Sequence, residues 1–186
     1  MQIGVISDTH GNLAGWERAW DLGLGESQVI VHCGDLLYHG PKFTPAEGYA
    51  PKDLAAAINA CEQPVLIARG NADSDVDQLV LDVPIQSPYV FTVVDGFRLL
   101  ATHGHLMPPD DLTRLAERWR IDFLLTGHLH TPFVRPIGRG LHINPGSVTY
   151  PLGEAGSLRR PTFCLIRDGE PVIVDVETGE TLIAIA

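Results

Sequence analysis

The feature that most constrains this chain is a recurrence. Five short apolar runs each stop at a glycine-bearing loop that carries Asp, Asn or His. QIGVIS (2–7) runs into DTHGN, with Asp8 and His10, and QVIVHC (28–33) runs into GDLL, with Asp35. PVLIA (64–68) runs into RGNAD, with Asn71. FRLLAT (97–102) runs into HGH, with His103, and IDFLLT (121–126) into GHLH, with His128 and His130. Short runs of this composition, bounded by Gly and Pro, read as buried strands. In open α/β sheets ligands bind beyond the carboxyl ends of the strands, so loops distant in sequence can converge on one site. A lone loop histidine is ordinarily bonded to backbone. A set of seven competent side chains, each directly after a strand, points to a ligand.

The segments between the runs set the fold class. Leu13, Trp16 and Trp20 recur at helical spacing behind Asn12, a capping residue. Leu54, Ala57, Ile58 and Cys61 mark a second helix, and Leu112, Leu115, Ala116 and Trp119 a third. Asp95-Gly96 between YVFTVV and FRLLAT predicts a hairpin. Residues 34–51, with Gly34, Gly40, Pro41, Pro45, Gly48 and Pro51, form a long loop. After His130 only short strands follow: FVRPI, LHIN, TFCLIRD, EPVIVDVE and TLIAIA, most of them separated by turns at 138–140, 168–169 and 178–180. No low-complexity linker or repeat divides the 186 residues. The expectation is one α/β domain, 1–186, of two packed sheets with helices on the outer faces.

Charge and cysteine usage narrow the function classes. A net charge of −10 disfavours an extended nucleic-acid surface or an anionic membrane footprint. It leaves room for a small anionic substrate beside bound cations, which dominate the local field. Cys33, Cys61 and Cys164 are scattered and form no CxxC pair, as expected of thiols in a reducing compartment. With neither a leader pattern nor a run long enough to span a bilayer, the expected location is cytoplasmic.

Residue type then selects the chemistry. Three oxygen donors (Asp8, Asp35, Asn71) and four imidazoles (His10, His103, His128, His130) suit Mn2+, Fe2+, Zn2+ or Co2+. Seven ligands exceed what one tetrahedral ion takes but fit two ions sharing a bridge, for which Asp35 is the natural carboxylate. Two ions about 3.5–4 Å apart can clamp a phosphoryl group and activate a water. A single-zinc hydrolase with a carboxylate base would leave several of these ligands unused.

The ordered set DTH, GD, GN, HGH and GHLH resembles the calcineurin-like metallophosphoesterases. With QIGVISDTHGN, GDLLYHGP, RGNADS and NPGSV, the chain is similar over nearly its full length to their small bacterial phosphodiesterases of the YfcE type. The resemblance implies a four-layer αββα sandwich of two mixed sheets with a dinuclear site at the strand ends. It implies that Asp8, His10 and His130 hold one ion, that Asn71, His103 and His128 hold the other, and that Asp35 bridges them. It implies a metal-activated hydroxide attacking the phosphorus of a small phosphodiester in line; among the ions these ligands fit, Mn2+ is the expected one, with Zn2+, Fe2+, Co2+ or Ni2+ as alternatives. The alternatives are a phosphomonoesterase, or a catalytically silent scaffold such as the retromer-type subunit that shares this fold.

One departure from the family pattern matters. Many relatives carry a histidine after the GN asparagine, placed to protonate the leaving oxygen. Here that position is Ala72, followed by Asp73. The acid role passes to another group, for which His39 and then His105 are the candidates. Asp73 is a candidate to orient a ligand, and Arg69 to approach a phosphate. His32 and His142 lie within strands and read as core histidines. Asn144-Pro145-Gly146-Ser147 reads as a tight turn that closes near the site, with Asn144 or Ser147 able to brace a ligand. Arg159 and Arg160 suit solvent and substrate equally. An exposed edge among the late strands would support a homo-oligomer.

Overall fold

The computed structural model describes residues 1–153 and 159–184. The last expected strand, TLIAIA, falls partly outside them: β12 covers Thr181–Ala184, and residues 185–186 are not described.

The chain alternates first and then runs in strands. β1 (Gln2–Ile6), α1 (Leu13–Asp21), β2 (Val29–His32), α2 (Pro51–Asn59), β3 (Val65–Ala68) and β4 (Ile85–Gln86) come first. Next are β5 (Val90–Val94), β6 (Phe97–Thr102), α3 (Pro109–Trp119), β7 (Phe123–Thr126), β8 (Phe133–Ile137) and β9 (Gly140–Asn144). β10 (Thr162–Arg167) and β11 (Glu170–Asp175) precede β12. Seven strands form one sheet in the order β12-β11-β10-β1-β2-β3-β4, and five form the other in the order β5-β6-β7-β9-β8. Both are mixed. β1 to β4 run parallel with β10 antiparallel against β1. β6, β7 and β9 run parallel between antiparallel neighbours β5 and β8.

The apolar runs are nearly continuous because the strands are buried on both faces. From β1, Ile3 and Val5 face the second sheet, while Ile6 packs toward the helices with Trp16, Leu54 and Ile58. β7 does the same: Phe123 and Leu125 enter the core between the sheets, and Leu124 packs under Leu112 and Ala116 of α3. Alternation along each strand thus generates three apolar layers and the expected αββα sandwich. Asn12 caps α1 as its position predicts, accepting a bond from Gly15 N at 3.0 Å.

Two boundaries differ from expectation. α2 ends at Asn59, so Cys61 lies just beyond it with its thiol donating to Ala57 O. β4 is an additional edge strand of two residues, too short to produce a periodic signal.

Phe163, fully buried under α1 and α2, tests the packing. Phe163→Ala is expected to cost about 3–5 kcal/mol in urea unfolding. A loss below about 1 kcal/mol would contradict the layer assignment.

Candidate metal centre

The loops after β1 and β2 are stitched together by backbone bonds. Asp8 N donates to Gly34 O and His10 N to Asp35 O, both at 3.0 Å, and Gly11 N to Leu36 O at 2.6 Å. The carboxylate of Asp73 ties the loop after β3 to the same point: it accepts from Asp35 N (2.9 Å), Leu36 N (2.7 Å) and Gly70 N (2.7 Å). Two glycines permit the close approach. A Cβ on Gly70 would collide with the Asp35 carboxylate, and one on Gly127 with Ser7 Oγ. Five of the seven candidate ligands, Asp8, His10, Asp35, His128 and His130, have positive φ between 44° and 69°. Asp and His tolerate this region better than most residues, and such outliers cluster at functional sites.

The result is a centre in which donors are aimed inward and their outer atoms are occupied. His10 Nδ1 donates to Tyr38 O (2.7 Å), His130 Nδ1 to Tyr150 O (2.7 Å) and His103 Nδ1 to Cys33 O (2.8 Å). A carbonyl can only accept, so each Nδ1 carries the proton and each Nε2 presents a lone pair inward. His10 Nε2 and His130 Nε2 stand 3.4 Å apart. Asp8 Oδ2 is held by Ser7 Oγ (2.6 Å) and His128 N (3.2 Å), whereas the buried Asp8 Oδ1 accepts no hydrogen bond. His130 Nε2 is 3.1 Å from that oxygen without the alignment of a hydrogen bond. Asp35 is divided likewise: Oδ1 accepts from Ala72 N (2.8 Å), and Oδ2 lies 3.4 Å from His103 Nε2 and 3.8 Å from His10 Nε2.

Two groups follow, Asp8–His10–His130 and Asp8–Asp35–His103, each with donor atoms within 4.8 Å of one another. Imidazole nitrogens and carboxylate oxygens crowded around a buried, unbonded oxygen repel unless a proton or a cation lies between them, and imidazole with carboxylate suits a divalent ion. The residues fit the metal that the sequence implies. Asn71 and His128, the two remaining candidates, stand at the rim, both exposed. Asn71 Oδ1 is 3.1 Å from His103 Nε2, and the rings of His128 and His103 meet edge-on.

The remaining candidates separate. His39 lines a cleft of about 520 Å3 over the centre, together with Asn71, His128 and His130. Its ring is flanked by Tyr38 and Tyr49, and its buried Nδ1 has no partner. His105 packs edge-on to His103, also with an unpartnered Nδ1. Arg69 is engaged with Asp75 (3.1 Å) and Asp73 O, and the cleft wall is built from other residues. His32 is fully buried and accepts from Gly34 N at Nδ1, so its Nε2–H donates to Thr9 Oγ1; burial holds its pKa down at about 3. His142 bonds Thr126 Oγ1. Asn144 and Ser147 brace loops: Asn144 Nδ2 donates to Gly127 O and Ser147 Oγ to Asp8 O, each at 2.8 Å. Arg160 pairs with Asp175 and Glu180, and Arg159 donates to Gly153 O.

Sequence reasoning missed the aromatic wall. Phe43 and Tyr150 stack at 4.2 Å beside His10 and His130, and Lys42 is a cation on the cleft wall. Phe43 and Lys42 sit in a loop with no periodic pattern, so only their proximity to Asp35 in the chain hinted at them.

Electrostatics follow from the crowding. Burial alone would push the His103 imidazole down, but its bond to Asp35 and the charges of Asp8 and Asp35 outweigh it and hold the pKa up at about 9. His130 is likewise raised despite burial, through Asp8. In the metal-free protein the proton on His103 therefore adds stability that is fully present below the ordinary value of 6.5 and is lost as pH rises through about 9. A metal must displace that proton. At pH 6, metal binding is expected to release protons, measurable by calorimetry in buffers of different ionisation enthalpy, and affinity should climb as pH rises toward 9. Buffer-independent heats and pH-independent affinity would contradict this donor arrangement.

Known proteins place the architecture. Residues 1–167 match the model of the Calcineurin-like phosphoesterase superfamily domain. The phosphodiesterase YfcE of Escherichia coli K12 is 40% identical over 154 residues, 82% of each chain. Superposition on the solved structure of that E. coli phosphoesterase gives a TM-score of 0.85 at 31% identity, covering 100% of this chain and 99% of the other. A wild-type Vps29 of Entamoeba histolytica solved with zinc gives 0.64 at 22% identity, covering 100% and 98%, a likeness of fold alone. The chain belongs to the calcineurin-like phosphoesterase superfamily and is a hydrolase of that superfamily.

Proposed function

We propose that the chain is a metal-dependent phosphodiesterase of small substrates, with two divalent ions held by Asp8, His10, Asp35, Asn71, His103, His128 and His130. The observation that carries this reading is the inward convergence of three Nε2 atoms on the carboxylates of Asp8 and Asp35, with the buried Asp8 Oδ1 accepting no hydrogen bond. Asp35 is the proposed bridge, because its Oδ2 faces His103 and His10 from opposite ligand groups. Asp8 belongs to both close groups and anchors the first ion. Mn2+ is the proposed ion, with Zn2+, Fe2+, Co2+ or Ni2+ compatible with the same donors. When bound, such ions would polarise the phosphoryl oxygens and lower the pKa of a water to supply the nucleophile.

The chain's own residues do the rest. Carbonyls of Tyr38, Tyr150 and Cys33 fix the ring orientations. Asp73 positions Asp35 through the backbone amides, so its role is indirect. His39 is the proposed acid because its ring, held between Tyr38 and Tyr49, lines the cleft where the leaving oxygen of a bound ester would lie. Lys42 adds positive charge near the anionic substrate. Arg69 is assigned to holding the loop after β3 through Asp75. The reading takes 1–186 as a single domain of a reducing, cytoplasmic compartment, which the unpaired Cys33, Cys61 and Cys164 suit.

Metal-stripped protein should hydrolyse bis(p-nitrophenyl) phosphate only after Mn2+ is added, and faster than p-nitrophenyl phosphate. The folded protein's failure to cleave either ester with any divalent ion would move the weight to an interaction scaffold, and faster monoester turnover to a phosphomonoesterase. Asp35→Asn should lower kcat by at least about 100-fold while shifting unfolding little; near-normal turnover would remove the bridge. His39→Ala should slow alkyl esters, whose leaving groups need a proton, more than aryl esters. Equal losses on both would argue against an acid role.

A further inference from the structure

A second, smaller pocket of about 180 Å3 adjoins the metal centre. His128 belongs to its wall and also to the wall of the 520 Å3 cleft that contains His39. A group held at the centre therefore has space on both sides of the His128 imidazole. The two spaces differ in chemistry. The larger carries Lys42, His39 and exposed main chain. The smaller is closed by Met107, Leu112, Leu129 and Ile137 against α3 and the loops after β6 and β7. Apart from the His128 ring at its mouth, its polar side chains are already engaged: Thr126 Oγ1 bonds His142 Nε2 at 2.8 Å, Thr113 Oγ1 donates to Pro109 O at 2.9 Å, and His103 Nδ1 donates to Cys33 O. Burial and the nearby Arg135 keep His142 uncharged at neutral pH. Away from the two candidate ligands His103 and His128 at its mouth, nothing on this wall would compensate the desolvation of a charge, so the occupant of its inner part is apolar.

A phosphomonoester has one organic arm, and a phosphodiester has two. We infer that the small pocket takes the ester arm that stays on phosphorus, and that this arm is an uncharged apolar group of about phenyl size. An apolar cavity of roughly 150 Å3 accommodates benzene, which sets the limit. The inference rests on the phosphodiesterase reading and adds the class of diester. In the reaction, the oxygen of a water forms the new P–O bond, and the P–O bond to the arm in the large cleft breaks. That arm leaves as an alcohol carrying one proton of the water, delivered by way of His39. The arm in the small pocket remains esterified. Met107, Leu112, Leu129 and Ile137 are thereby residues that determine specificity.

The test uses the full Mn2+-loaded chain and three diesters with the same leaving group: methyl, phenyl and 2-naphthyl p-nitrophenyl phosphate. kcat/KM should rise about tenfold or more from methyl to phenyl, in line with apolar pocket discrimination, and fall again for naphthyl. Thr113→Trp, which fills the pocket from α3, should bring the phenyl-to-methyl ratio to about one while methyl-ester turnover persists. Thr113→Phe provides a smaller block at the same position if the first variant fails to fold. Calorimetry should show phenyl phosphate, the retained product, binding the unmodified protein more tightly than methyl phosphate, with the difference gone in the filled variant. A ratio near one in the unmodified protein, or one unchanged in a folded filled variant, overturns the pocket assignment and leaves the phosphodiesterase reading standing. Absence of hydrolysis of all three diesters overturns both.

Discussion

The structure depends on the hydrogen bonds that three histidines make away from the centre. By giving Nδ1–H to the carbonyls of Tyr38, Tyr150 and Cys33, His10, His130 and His103 aim their Nε2 atoms at one another and at Asp8 and Asp35. That arrangement is unfavourable unless a proton or a cation lies between these atoms. Buried polar atoms without partners are rare, and each costs on the order of 1–3 kcal/mol. Asp8 Oδ1 is such an atom at the middle of the cluster. A bound cation would meet these donors directly, so the geometry that burdens the free protein would favour a loaded one.

The scaffold has to carry a second burden, in the backbone. Five candidate ligand residues occupy the left-handed region, at about 1 kcal/mol or more each. Against a net domain stability of about 5–15 kcal/mol, that is a large share. The offsets are local. Asp73 collects three amides from two loops, Ser147 ties Asp8 O to the turn after β9, and Asn144 ties Gly127 O to the same turn. These side chains touch no ion, yet they hold two sheets' worth of loops in register. The sandwich supplies the frame: β1 to β3 of one sheet and β6 and β7 of the other deliver their loops to one edge.

Much of this was legible in the sequence. Apolar runs ending in Asp8, His10, Asp35, Asn71, His103, His128 and His130 marked the strands and the loops that converge beyond them, because the end of a strand and the start of a candidate site coincide. Asn12 as a cap and Asp95-Gly96 as a hairpin turn were equally readable, since their chemistry is local. What escaped was contact made through main-chain atoms or across long separations. No sequence signal says that Tyr150 O receives His130, that Phe43 stacks on Tyr150 from over 100 residues away, or that Asp73 grips amides 37 and 38 residues earlier in the chain. The small pocket under α3 is also invisible in sequence, being a space between elements.

The most direct test of the central claim, two ions sharing one carboxylate within this cluster, is electron paramagnetic resonance of protein titrated with Mn2+. Two ions about 3.5–4 Å apart are magnetically coupled, so the spectrum at saturation should be that of an exchange-coupled pair, with two Mn2+ per chain by elemental analysis. A saturated spectrum of isolated six-line Mn2+ at one ion per chain would contradict the account.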